Sequence, residues 1–411
     1  MNIHDALRYW QEEGILSKEK ADELRRSLKD ADAQVPNKAI RIFSAVGGVL
    51  IGLGVILFVA SNWNELTATV KTGILILGML LTGYAGFDLA YVRKNYEKTG
   101  LALLFVNVFV FGASIFLVAQ IYNLPMTFWW GALLWFLGAA FFAYLLRSRL
   151  HLWLSMPLFF LFLGWLRTYG VSGFSAELDF LFNVRHSLIT LFPVLGVAIL
   201  SEGILHRRFP ATRFGADTLF HWGLFLAVFA TVITTVEKQV FFNFFQVPTD
   251  VIALVVIALS ILVWIAAIIR GTFVTSQGKW GLVALGGYVV YLYAIAAVPT
   301  MMGYPMDAYG SFFFGYGSVP GPLFTGLFVL HILLAFVFLL TVIWYGTILR
   351  MPAVINMGML GLAVTILIQY FSWAFEMLDR SLAFILGGVL ILALSAILER
   401  KRRELVSSLG S

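Results

Sequence analysis

The chain reads as an all-α, polytopic integral membrane helix bundle of about twelve transmembrane helices, with a small N-terminal cytoplasmic helical hairpin. Three observations predict this. Of the 411 residues 60% are hydrophobic and only 12% charged, about half the charged share of a soluble globular domain. Beyond the first 38 residues the apolar side chains fall into stretches of roughly twenty, the length a helix needs to cross a hydrocarbon core of about 30 Å. The basic residues alternate in step with those stretches, as a membrane topology requires. The complete lack of cysteine removes structural disulfides, thiolate metal sites and cysteine nucleophiles together. The pI near 9.4 does not signal nucleic acid, because the basic residues sit at span edges.

Residues 1–38 form the hairpin and its linker. His4 to Glu13 suits one helix, with Leu7 and Trp10 on one side and Gly14 as a left-handed stop. Ser17 is placed to cap a second helix to about Lys29, with Ala21, Leu24 and Leu28 at helical spacing. Two such helices bury little surface, so the hairpin is expected to lean on the membrane domain or on a cytoplasmic protein partner. Asp30 to Pro36 is the linker. The first apolar run begins near Ile40 behind this charged segment and is expected to remain as a span.

The transmembrane domain, 39–399, divides into spans at Ile40–Ala60, Thr69–Val92, Thr99–Gln120, Met126–Leu146, Leu150–Arg167, His186–Leu205, Phe214–Val236, Asp250–Arg270, Lys279–Thr300, Leu323–Leu349, Ala353–Phe375 and Arg380–Leu398. Residues 400–411 are a basic cytoplasmic tail. With the N-terminus inside, 23 of the 28 Lys and Arg residues fall on inward segments. Only Lys71, Arg167, Arg185, Lys238 and Arg380 face outward, and a missed span would scramble this asymmetry from that point on. Both termini are therefore expected in the cytoplasm. The outward loops Thr168–Arg185, Glu237–Thr249 and Met301–Pro322 are long. Two of them hold the aromatic runs Phe241 to Phe245 and Phe312 to Tyr316, expected at headgroup level or folded over the bundle. Gly48 and Gly52 in the first span and Gly387 and Gly388 in the last are small residues of the kind that let transmembrane backbones approach. No alignment of two six-span halves emerges.

The run GGVLIGLGVILFVASNW from Gly47 to Trp63 resembles the start of the membrane region in a bacterial family known as domain of unknown function 2157. The hairpin's EEGILS, the third span's FGASIFLVAQIYNLP, Lys71 opening the second span and the terminal FILGGVLILALSAILERKRREL agree with it. The likeness is concentrated in the first 150 residues and the last span. It implies a multi-pass protein of the bacterial inner membrane and brings no activity with it.

Ionisable groups inside spans are costly, so each is a candidate for function. Asp88 lies about a turn from the inner end of span two, near Arg93, and His331 lies near mid-depth in span ten. Glu202 and His206, four apart, share a face of span six; Asp217 and His221 do so on span seven, across a short basic loop. Two carboxylates and two imidazoles suit a divalent metal or a proton relay. The competing reading has Arg207, Arg208 and Arg213 neutralising the carboxylates at the interface while the histidines pack separately. Asn62, Trp63, Asn64 and Glu65, with Gln120, Tyr122 and Asn123, form an outward polar set. It suits either ordinary helix-end capping or a vestibule for a polar headgroup or sugar.

No phosphate loop, nucleophile elbow, zinc-protease helix or dinucleotide fingerprint is present in the sequence. No cofactor is implied beyond the metal already weighed, and membrane lipids are the expected partners, not nucleic acid. Three functions remain in order of preference. The first is transport or binding of a small polar or amphipathic, lipid-linked molecule. The second is a scaffold or sensor acting through the hairpin, and the third an intramembrane enzyme at Glu202–His221.

Overall fold

A computed structural model describes residues 63–93, 96–125, 127–169, 187–245, 248, 250–273, 276–303, 321–377 and 380–407, together with 10, 11, 13, 17, 19, 20 and 22–24. The chain is an all-α membrane protein, and no strand occurs among the described residues. Ten helices there are long and apolar enough to cross a membrane, each starting within two residues of the expected position of spans two to eleven. The expected first span lies outside the described residues. The expected twelfth lies in a helix that does not stop at Leu398 but runs on to Ser407. Leu, Glu, Arg and Lys are strong helix formers, so the basic tail extends the last helix.

The spanning helices are α1 (Ala68–Phe87), α2 (Glu97–Ile121), α3 (Phe128–Leu145), α4 (Arg149–Thr168) and α5 (Phe192–His206). They continue with α6 (Ala216–Thr234), α7 (Val251–Arg270), α8 (Ser276–Ala296), α9 (Pro322–Ile348) and α10 (Pro352–Met377). The helix Arg380–Ser407 is α11.

The chain groups into two compact units, Met1–Ile74 and Leu75–Ser411, divided within α1. In the first, Ser17 Oγ accepts from the Lys20 amide at 3.3 Å, the geometry of an N-cap. Lys71 Nζ sits 5.4 Å from the Trp63 ring centroid, a cation–π contact.

In the second unit α5 and α6 form the centre. In their apolar windows 78% and 67% of residues are buried, against 17% in α7 and 22% in α9. Glycine makes that pairing close: a Cβ on Gly203 would lie 2.6 Å from the Phe220 amide nitrogen, and one on Gly223 2.3 Å from that of Leu200. Lipid supplies no hydrophobic drive between helices, so such backbone approach carries the packing. Peripheral helices use a different fit. The rings of Trp135 and Phe116 seat against Gly112 and Gly131 across the α2–α3 contact, and Trp135 Nε1 donates to the Val108 carbonyl at 2.8 Å.

Three tight helix ends share one geometry. Asn123, Arg147 and Arg350 take φ near +50°, and the next residue's amide reaches back to Ala119, Ala143 and Gly346 carbonyls at 2.8–3.0 Å. This closes the helix without glycine. At the N-terminus of α4, Ser148 Oγ accepts from the His151 amide. A short helix, Lys238–Phe244, folds into the bundle: Phe241, Phe242 and Phe245 are fully buried and enter the core beside α6, α8 and α9. The other aromatic run, 312–316, lies outside the described residues.

Candidate functional site

The structure parts the four acid and histidine residues of spans six and seven. Glu202 Oε1 lies 3.1 Å from His206 Nδ1, and the same nitrogen lies 2.9 Å from the Glu202 carbonyl. A proton on Nδ1 serves both oxygens, which leaves Nε2 to accept from the Tyr144 hydroxyl at 2.7 Å. This pair lines a cavity of about 400 Å³ with Arg208 and Arg270. Asp217 faces another cavity, of about 500 Å³, with its oxygens 3.5 Å from Arg207 and 4.0 Å from Arg149. His221 Nδ1 donates to the Asp217 carbonyl at 2.5 Å, and its buried Nε2 has no partner among the described residues. Among those residues no three His, Asp or Glu side chains are placed to share a metal ion. Of the expected neutralising arginines, Arg207 pairs with Asp217, whereas Arg208 donates to the Arg270 carbonyl.

Asp88 opens a π-helical turn, Asp88–Val92, at the end of α1 and pairs with Arg93 Nε at 2.7 Å. His331 is fully buried in α9, stacked on Phe241 with ring centroids 4.1 Å apart and planes 4° off parallel. Neither of its ring nitrogens has a hydrogen-bond partner among the described residues. It packs as an aromatic ring, and the sequence offered no sign that Phe241 would be the surface it meets.

The polar set expected to face outward comes from two segments of the chain. Trp63 and Glu65 form one helical turn with Asn64, and Asn62 lies outside the described residues. Gln120, Tyr122 and Asn123 are exposed at the C-terminus of α2, where Asn123 supplies the left-handed closing residue. Asparagine tolerates that conformation better than most residues, so its position has a structural cause.

Three features are invisible to a reading of the sequence alone. Arg167, which its position marks as a plain outward charge, is fully buried: its Nε and Nη2 lie 3.0 and 2.9 Å from Asp250 Oδ2. Its Nη1 donates to Thr190 Oγ1 at 2.9 Å and to the Ser187 carbonyl. Tyr293 donates to the Thr190 carbonyl, tying α8 to the same node. Asn107, mid-span in α2, donates to the Met79 carbonyl at 2.6 Å and to Thr82 Oγ1 at 2.9 Å, bridging α2 to α1. Both are polar residues in or beside apolar runs, but their partners lie 20 to 83 positions away.

The third is a groove of about 640 Å³ between α8 and α9, floored by Leu200, Phe220 and Leu224 of α5 and α6. Its walls are apolar, with Gly278, Gly281 and Gly287 widening the α8 side. Gln277, Trp280, Trp344 and Tyr345 gather at one end. From Gln277 to Tyr291 it follows α8 for 14 residues, about 21 Å at the helical rise. No periodicity announces it, because a groove depends on which small residues of two helices come to face each other.

The chain is a membrane protein with several apolar helices. No curated protein and no solved structure matches it. The likeness in the terminal span falls beyond the stretch for which a family match is found. Over residues 8–152, which hold the hairpin's EEGILS, the glycine run and the FGAS segment, the chain matches the family described as Predicted membrane protein (DUF2157).

Proposed function

We propose that this membrane protein binds an amphipathic, lipid-linked molecule whose apolar chain lies in the groove between α8 and α9. The supporting observation is the groove itself. It is roughly 21 Å long on the helical rise, open to the surface of the bundle, and apolar until its polar and aromatic end at Gln277, Trp344 and Tyr345. Amphipathic Trp and Tyr rings favour the membrane–water boundary, so a chain in the groove would place its head there. Charge complementarity agrees, because the Arg207 guanidinium lies 5.2 Å from the centroid of Phe220, a groove residue.

Gly287 provides the test. It lines the groove, and a Cβ built there meets nothing within 4 Å. Gly287→Trp therefore puts a large ring at the groove from a Cβ that meets no protein atom, and any residue but proline suits a helix interior at least as well as glycine. Mass spectrometry of lipid retained by the purified protein should show a tightly held component in the parent and its loss in the variant. Equal retention in both would refute the reading.

A further inference from the structure

The polar end of the groove adjoins the 500 Å³ cavity that Asp217 lines. The two share walls at two points. Phe220 belongs to the groove while the guanidinium over its ring, Arg207, belongs to the second cavity. Gly278 of the groove likewise adjoins Phe273 of the cavity, 3.2 Å from where its Cβ would stand.

The second cavity has the opposite character. Arg149 comes from the first turn of α4, and Arg207 and Arg213 from either end of the α5–α6 loop; they line it with Asp217 and Thr272. Three cations against one carboxylate leave an excess of two positive charges. Asp217 does not saturate them. Its contacts at 3.5 and 4.0 Å are well beyond the roughly 2.7–2.9 Å of a close charge-assisted hydrogen bond, and Arg213 has no carboxylate partner among the described residues. Two of the three guanidinium groups are nevertheless held in place. Arg149 Nε donates to the Phe214 carbonyl at 3.2 Å, and Arg207 is stacked on Phe220 with its side chain only 15% exposed. Fixed guanidinium forks with free N–H donors fit the oxygens of a phosphate better than any other common biological anion group except carboxylate. The excess charge favours the group that can carry two negative charges.

We infer that this basic cleft binds phosphate, and that the ligand class of the protein is a phosphate-headed lipid with its chain in the groove and its head among Arg149, Arg207 and Arg213. The inference rests on the groove reading for the lipid part and on the cleft alone for the phosphate part. The same chemistry would also accept a soluble phosphate monoester.

Three probes applied to the purified full-length protein separate these parts: diacylglycerol, which has chains and no phosphate; glycerol 3-phosphate, which has phosphate and no chain; and phosphatidic acid, which has both and can carry two negative charges. Binding is read by native mass spectrometry for the parent, Arg149→Gln/Arg213→Gln and Gly287→Trp. Arg149 and Arg213 are exposed, so their replacement leaves the packing intact, and circular dichroism with thermal unfolding verifies the fold. A surface arginine contributes about 1 kcal/mol toward an anionic headgroup, about fivefold in affinity. The double variant should therefore lose roughly 25-fold for phosphatidic acid, with diacylglycerol unchanged. Gly287→Trp should lose both lipids. Glycerol 3-phosphate binding that the arginine variant abolishes and Gly287→Trp spares would support the cleft; the lipid part is refuted if phosphatidic acid then binds no more tightly than glycerol 3-phosphate. If neither phosphate-bearing probe responds to loss of the arginines, or if diacylglycerol falls as far as phosphatidic acid, the phosphate site is overturned. Failure of Gly287→Trp alone would instead overturn the groove.

Discussion

Removing one partner of the Arg167–Asp250 pair should cost stability unequally, and the difference in burial decides which removal is worse. Arg167 has a side-chain exposure of 0%, Asp250 of 21%. Asp250→Asn strands a guanidinium that no water reaches, a situation worth about 3–5 kcal/mol. Arg167→Met strands a carboxylate that can still be hydrated. The Thr190 hydroxyl keeps a partner as well, because it donates to the Ser187 carbonyl at 2.7 Å. That variant should lose roughly 1–3 kcal/mol, the range for a charged hydrogen bond or a partly satisfied group. Asp250 also caps α7, where its Oδ1 accepts from the Ala253 amide at 2.9 Å. Asparagine preserves that cap and alanine does not, so Asp250→Ala should cost about 1 kcal/mol more than Asp250→Asn. The double variant Arg167→Met/Asp250→Asn should be more stable than Asp250→Asn alone, since no buried charge is left without a counter-charge. Equilibrium unfolding in mixed micelles, followed by tryptophan fluorescence, measures all four. Asp250→Asn within about 1 kcal/mol of the parent, or Arg167→Met as the worse single variant, would refute the argument.

His331→Leu replaces two buried nitrogens that have no hydrogen-bond partner among the described residues with a side chain of similar size, and should raise stability by about 1–3 kcal/mol in the same assay; a lowered midpoint would mean those nitrogens are bonded in the intact protein. Gly203→Ala and Gly287→Ala place the same methyl group in opposite surroundings. The first must part α5 from α6 and should destabilise by roughly 1–3 kcal/mol, whereas the second should be neutral or favourable by up to about 1 kcal/mol, with similar losses at both sites counting against the close-packed central pair. Reporter fusions at Ser411 and within residues 30–36 should both read as cytoplasmic, and one within 301–322 as external. An external C-terminus would require an odd number of spans.

Hydropathy and charge alone were enough to locate the starts of α1 to α10 to within three residues, except at α5, where a short 3-10 turn, Leu188–Leu191, precedes the α-helix. Insertion into lipid is decided segment by segment, through length, apolar content and flanking basic residues, all of which are local. Ser17 as a cap was legible for the same reason, since its partner amide is three residues away. The side-chain sites were not local. Glu202 and His206 sit on one helical turn, as their spacing requires, yet Asp217 faces another cavity. Spacing defines a face on each helix and leaves open how two faces are turned toward each other. Arg167 looked like an ordinary basic residue at a span end because Asp250 is 83 positions away. The Phe241 stack on His331 and the groove between α8 and α9 depend likewise on the rotation of helices about their axes. That rotation is decided by glycines such as Gly203 and Gly223, where one helix touches the backbone of the next. The sequence by itself therefore determined which segments form helices long and apolar enough to cross a membrane, through a solvent that acts on each segment alone. Only the tertiary structure decided which polar side chains meet and where a cavity opens, because those depend on contacts between helices whose residues are distant in the chain.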